Sequence, residues 1–126
     1  MNPPCIKRAL LFISMTLLFS TAVSAAQIAD PAASQKKVID QMHHQLHDAQ
    51  SAFKGEEKQA LKELNEMTIR EDVVIEDLNA KVGELMAAKT QIMRLRYAHL
   101  VEMRAILTDE QKILYDKGVL KRSLVK

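Results

Sequence analysis

The chain has 126 residues, with 18 bases, 16 acids and a formal net charge of +2. Because both surplus bases, Lys7 and Arg8, lie near the N-terminus, the rest of the chain is neutral and nothing indicates a nucleic-acid partner. Its one cysteine, Cys5, excludes a framework of intrachain disulfides. No proline follows Pro31, and neither alternating β-branched runs nor tight hairpin turns occur. We therefore predict a single all-α domain.

The first 25 residues have the pattern of a secretory signal peptide. Lys7 and Arg8 precede an apolar run from Ala9 to Val23, and small residues follow as Ser24-Ala25-Ala26. The run of about 15 residues is shorter than the ~20 that span a bilayer. We predict export and cleavage near residue 25, with a retained N-terminal anchor as the less favoured alternative.

After the signal, we predict a flexible leader over residues 26–34, a helical domain over 35–122 and a tail over 123–126. The first helix is expected to begin near Gln35. Its apolar residues recur mostly at steps of three and four, which is typical of one buried helix face. They are Ile39, Met42, Leu46, Ala49, Phe53, Ala60, Leu64 and Met67.

The first turn is predicted at residues 67–72. Thr68 and Glu71 have the spacing of a capping box that would begin a second helix, and Asp72 is an alternative cap. The second helix should extend to about Ile106. Thr108 and Gln111 form another capping box, which begins a third, shorter helix that ends near Gly118 or a few residues later.

These elements predict a long antiparallel helical hairpin with a short third helix. The charge distribution agrees with that arrangement, since residues 30–84 hold 12 acids and 7 bases while residues 85–126 hold 4 acids and 9 bases. Charges scattered over solvated helix faces explain the same distribution equally well. A two-helix core is thin for a chain of this size, so we also expect a homodimer.

Two pairs of metal-donor residues provide the main indication of function. His43 and His47 lie one helical turn apart, as do His99 and Met103, so each pair lies on one helix face. Folding the second helix back on the first would bring the pairs towards one ion. The alternative is that the histidines are incidental and that Met103 fills the core. Four acids lie near enough in the predicted hairpin to add an oxygen ligand: Asp40, Asp48, Glu63 and Glu102.

Nothing in the chain indicates an enzyme. No cysteine nucleophile, glycine-rich phosphate loop or serine with a histidine base follows the signal. A metalloprotease helix carries glutamate directly after its first histidine, whereas this chain has His44 after His43.

The segment Leu107-Thr108-Asp109-Glu110-Gln111 resembles the Leu-Thr-x-x-Gln signature of small periplasmic helical proteins, the superfamily of Spy, CpxP, ZraP and CnrX. The stretch from His99 to Ala105 and the pair Tyr115-Asp116 are also similar to CnrX-type heavy-metal sensors, as is the segment from Met42 to His47.

This resemblance implies a hooked, four-helix-like hairpin that is usually dimeric and acts in the periplasm without catalysis. Carried over by position, the metal ligands would be His43, His47, His99 and Met103, with Glu63 as the nearest counterpart of a glutamate ligand. The implied ion is nickel or cobalt, with copper or zinc as alternatives, because imidazole and thioether donors favour such ions.

The chain would then be a sensor or buffer in metal resistance or metal-responsive signalling, and a sensor would act on an inner-membrane antisigma partner. The alternative is an ATP-independent chaperone or envelope-stress regulator of the Spy/CpxP type, whose partners are unfolded client proteins.

Overall fold

Three helices follow one another in the computed structural model, which describes residue 28 and residues 31–124. Helix α1 spans Ala33–Thr68, α2 spans Ile75–Ala105 and α3 spans Asp109–Lys121, followed by a 3-10 turn at Arg122–Leu124. The described residues contain no strand, so the all-α prediction is confirmed. The predicted signal peptide lies outside the described residues, as do residues 26, 27, 29 and 30 of the predicted leader. No helix among the described residues has the length and apolarity needed to cross a membrane.

The turn between α1 and α2 differs from the predicted one. Thr68 is the last residue of α1, and its hydroxyl donates to the Leu64 carbonyl at 2.7 Å instead of capping a new helix. Helix α2 begins after Val74, whose side chain makes no cap hydrogen bond. The predicted cap at Thr68 was therefore wrong, and so was the alternative at Asp72, because the Asp72 carboxylate instead accepts two hydrogen bonds from Arg70 at 3.0 and 2.9 Å.

The start of α3 agrees with the prediction. The Thr108 hydroxyl accepts a hydrogen bond from the Gln111 amide at 3.3 Å, and the Gln111 side chain accepts from the Thr108 amide at 3.0 Å. These reciprocal bonds satisfy amides that a helix start leaves unpaired. Helix α2 ends at Ala105, as expected, and α3 ends at Lys121.

Side-chain contacts join α1 to α2 in reverse chain order. Residues early in α1 contact residues late in α2, and residues late in α1 contact residues early in α2. The contacts are Gln35 Nε2 to the Ile106 carbonyl at 3.3 Å, Gln50 Nε2 to the Ile92 carbonyl at 3.0 Å, Glu57 to Lys89 at 3.6 Å and Glu63 to Lys81 at 2.6 Å.

The apolar core lies where α3 folds against the other two helices. Met103, Leu107 and Tyr115 form its buried cluster, and half-buried apolar side chains pack around them, including Ile28 from the predicted leader. The Tyr115 hydroxyl donates to the Leu100 carbonyl at 2.9 Å. This cluster fixes the position of α3 beside the C-terminal part of α2.

Candidate metal centre

His43 of α1 and His99 of α2 lie side by side. Their ring centroids are 5.2 Å apart and their planes are inclined by 46°. His99 is only 8% exposed, whereas His43 remains exposed. The pairing of the helices therefore brings together two imidazoles that are 56 positions apart in the chain.

Both histidines line a cleft of about 570 Å³. Met103 lines the same cleft, one helical turn after His99. Asp40, one of the four acids considered as oxygen donors, is also part of the lining. The rest of the lining combines apolar side chains such as Leu46 with three bases, which are Lys36, Arg96 and Arg122.

Burial lowers the pKa of His99 below its ordinary value of 6.5. The main cause is loss of solvent around the imidazole. The charge of neighbouring His43 lowers the pKa further, while the carboxylate of Glu102 opposes the shift. His99 is therefore neutral at pH 7, which is the form of imidazole that can bind a metal.

The lowered pKa of His99 predicts a pH dependence of stability. As the pH falls through 6.5, the unfolded chain takes up this proton more readily than the folded chain. The free energy of unfolding should therefore decrease below pH 6.5 and level off once the pH passes the lowered pKa. Urea unfolding of the metal-free protein at a series of pH values from 7.5 to 5 measures the effect.

The matched variants for this measurement are His99→Gln and His44→Gln. The first should weaken the pH dependence between 7.5 and 5, and the second should leave it unchanged. Carboxylates with a lowered pKa, such as Glu63 and Asp116, lose their contribution only at more acid pH. An equal pH dependence in wild type and His99→Gln would show that another group is responsible.

The structure does not bring His47 into this cleft. The His47 side chain is 76% exposed, and its Nδ1 lies 3.5 Å from an oxygen of Asp48 on the same helix. His47 lies one turn beyond His43, but it is not among the residues that line the cleft.

Glu63 lies still farther from the cleft. It is 20 residues after His43 on one continuous helix, or about 30 Å along its axis. Its carboxylate contacts Lys81 at 2.6 Å and accepts a hydrogen bond from Gln59 at 2.6 Å. These two hydrogen bonds, with that of Lys81 the larger cause, lower the pKa of Glu63. Glu63 therefore cannot share an ion with His43 and His99 of the same chain in this arrangement.

Only part of the predicted donor set therefore converges: two imidazoles and one thioether, with Asp40 nearby. Within residues 31–124, no three His, Cys, Asp or Glu side chains form a cluster suited to a metal ion. The sulfur of Met103 would have to be the third donor. Two nitrogens and a thioether fit a borderline or soft transition-metal ion better than calcium or magnesium.

A pair of glutamine side chains joins α1 to α3 and was not predicted. Gln35 of α1 and Gln111 of α3 exchange two amide hydrogen bonds, at 2.9 and 3.1 Å. The Gln35 oxygen also accepts from the Ala32 amide at 3.0 Å. The motif glutamine Gln111 thus caps its own helix and also binds α1, which holds α1 in place beside α3.

Comparisons with curated proteins and with solved structures give no match. A family model described as LTXXQ motif family protein matches residues 25–117, which is most of the chain. The matched region contains His43, His99 and Met103, the glutamine pair and the segment Leu107-Thr108-Asp109-Glu110-Gln111. The chain therefore belongs to the LTXXQ motif family.

Proposed function

We propose that the protein is a metal-binding sensor or buffer of the CnrX type, acting in metal resistance or metal-responsive signalling. Members of the LTXXQ motif family are generally periplasmic, and export through the predicted signal peptide would place this chain there. In the proposal the chain works as an antiparallel helical hairpin within a homodimer. It uses no catalysis, and a sensor would act on an inner-membrane antisigma partner.

The observation that carries the proposal is the pairing of His43 with His99. Two imidazoles with centroids 5.2 Å apart, from different helices and in a cleft that Met103 also lines, can bind one ion. Because the pKa of His99 is lowered, a metal meets little competition from protons there at pH 7. The donors favour nickel, cobalt, copper or zinc.

Each donor would contribute in a distinct way. His99 is nearly buried, so the packing of α2 on α1 orients its ring before a metal arrives. His43 is exposed and can turn towards an ion that enters from the open side of the cleft. Asp40 can supply an oxygen from one turn before His43, and His47 could reach the same ion only if its side chain turned away from Asp48.

Isothermal titration calorimetry with Ni²⁺, Co²⁺, Cu²⁺ and Zn²⁺ tests the proposal. We expect one ion per chain for the exported protein, and an affinity at least about 100-fold lower for the double variant His43→Ala/His99→Ala, because two direct ligands are lost. His44→Ala is the matched control, since His44 is exposed and does not line the cleft. Equal affinity in the double variant and the wild type would remove these residues from any metal site.

A chaperone of the Spy/CpxP type is the second candidate. It is supported by large apolar side chains that are exposed on α1 and α3, including Leu61, Ile113 and Leu120, because such surface can hold unfolded clients. The metal-free protein would then suppress aggregation of a denatured client. Failure to do so at excess over the client would count against this candidate.

A further inference from the structure

Helix α2 carries a second apolar face that no described residue covers. Besides the face that packs on α1, it has six large apolar side chains that are between 37% and 71% exposed. We call this face the outer seam of α2. It comprises Ile75, Val82, Met86, Met93, Tyr97 and Val101.

The outer seam repeats every 11 residues. Ile75, Met86 and Tyr97 are successive members of one series, and Val82 and Met93 belong to another. Eleven residues correspond to about three helical turns, so the seam stays on one side of the helix over some 39 Å. His99 lies about 140° around the helix from Met86, so the seam and the metal cleft occupy different faces.

The order of residues in the seam is also close to symmetric. The centre of this symmetry lies between Gln91 and Ile92. Positions 82 and 101 are equally far from that midpoint, one before it and one after it. The same holds for 86 with 97 and for 90 with 93. Two copies of α2 that run in opposite directions about this midpoint would therefore place apolar positions opposite each other. A twofold dimer requires such self-complementarity. The facing apolar pairs are Val82 with Val101 and Met86 with Tyr97, while Met93 faces Thr90, which is not a member of the seam.

Charge favours the same arrangement. Residues 75–89 hold three acids and two bases, whereas residues 91–105 hold three arginines and one acid. Antiparallel pairing therefore sets the more acidic half of one α2 beside the basic half of the other. Lys89 and Arg94 lie about 140° apart around the helix and so flank the seam on opposite edges. Lys89 is already paired with Glu57 at 3.6 Å.

A shallow groove of about 480 Å³ lies at the centre of the seam. Its lining is symmetric about the same midpoint, since it consists of Met86, Lys89, Thr90, Met93, Arg94 and Tyr97. A groove between side chains on one copy can receive the corresponding side chains of the other copy.

We propose that a second copy of this chain docks on the outer seam, with the two α2 helices antiparallel and the twofold axis beside Gln91 and Ile92. The inference rests on the homodimer of the proposed function and assigns its interface. It places the interface away from His43, His99 and Met103. Each metal site is then built from one chain, and both clefts stay open to solvent.

The first test is the oligomeric state of Met93→Glu, measured by analytical ultracentrifugation of the exported protein. The wild type should be a dimer, and the variant should dimerise about 100-fold more weakly or worse, because an unpaired carboxylate would be buried in the seam of each copy. Ile113→Glu is the matched control, since Ile113 is exposed on α3, and it should stay dimeric. A monomeric wild type, or a dimeric Met93→Glu, would overturn the proposal.

The second test examines the proposed register of the two α2 helices with the variants Val82→Lys and Val101→Glu. Each single variant should weaken the dimer. The double variant should restore it at low salt, because the lysine introduced in each copy would face the glutamate introduced in the other. The two positions lie about 28 Å apart within one helix, so they cannot pair within a chain. Absence of rescue, with helix content by circular dichroism unchanged, would overturn the proposed register.

Metal titration of Met93→Glu separates this inference from the proposed function. One ion per monomer at unchanged affinity is the expected result. Loss of metal binding in a folded Met93→Glu monomer would show that the site needs both copies, which would contradict the interface proposed above. Absence of metal binding in both the wild type and the variant would contradict the proposed function. The proposed interface would then be accepted or rejected on the ultracentrifugation result alone.

Discussion

Replacing Tyr115 with alanine is expected to lower the free energy of unfolding by about 3–5 kcal/mol, as is typical when a large aromatic side chain is removed from a core. Tyr115 is 3% exposed and packs against Met103 and Leu107. Its hydroxyl also donates to the Leu100 carbonyl, so the substitution would remove both the packing and a hydrogen bond between α3 and α2. The ion pair of Arg104 with Asp116, at 2.7 Å, would remain. Equilibrium unfolding in urea, followed by circular dichroism, measures the change.

Two control variants divide this effect into its parts. Tyr115→Phe keeps the ring and loses only the hydrogen bond, so it should cost about 1 kcal/mol. Leu114→Ala removes a half-exposed neighbour on the same helix and should cost much less than Tyr115→Ala. If Tyr115→Ala and Leu114→Ala were equally mild, α3 would not be held to α2 by the core cluster described here.

The second large effect is expected at the motif glutamine. Gln111→Leu should lower the free energy of unfolding by about 2–3 kcal/mol, because the amide group of Gln35 and the Thr108 amide would lose their buried partner. The measurement is again urea unfolding. Gln59→Leu is the matched control, since Gln59 is exposed and its side chain bonds only to Glu63 on the same helix among the hydrogen bonds described here. Its effect should stay within about 0.5 kcal/mol.

A double substitution tests whether the two glutamines act as a pair. Gln35→Leu/Gln111→Leu replaces both partners with apolar groups, so it should cost less than the sum of the two single substitutions. Simple additivity would mean that each glutamine is needed for its own helix start only. The result would show whether the LTXXQ motif serves only to begin α3 or also to hold α1 against it.

The end of α2 and the limits of α3 could be predicted closely because their signals are local. Thr108 and Gln111 carry both halves of a capping box within one turn of chain, and no tertiary contact has to be known to recognise it. The spacing of Thr68 and Glu71 gave the same signal and was misleading. There α1 continues to Thr68, whose hydroxyl bonds back to Leu64, because a threonine inside a helix can donate to the carbonyl four residues earlier.

Burial on α1 was predicted with one instructive error. Ala49 was assigned to the buried face, but it is exposed, and the neighbouring Gln50 is buried with its side-chain amide on the Ile92 carbonyl. A buried glutamine cannot be predicted from apolar periodicity, because the burial of a polar side chain depends on a hydrogen-bond partner from another helix.

The helical class and the limits of α3 could be predicted from the sequence alone, and His43, His47, His99 and Met103 were predicted as metal ligands. These follow from propensity, capping and helical spacing, which act over a few residues. The tertiary structure was needed to show that His43 lies beside His99 in a cleft that Met103 also lines. It was also needed to show that the His47 side chain is exposed and that Glu63 lies about 30 Å from His43 along α1. The register between α1 and α2 sets those distances. That register depends on contacts along the whole length of both helices, from Gln35 with the Ile106 carbonyl to Glu63 with Lys81, and the first of these joins residues 71 positions apart.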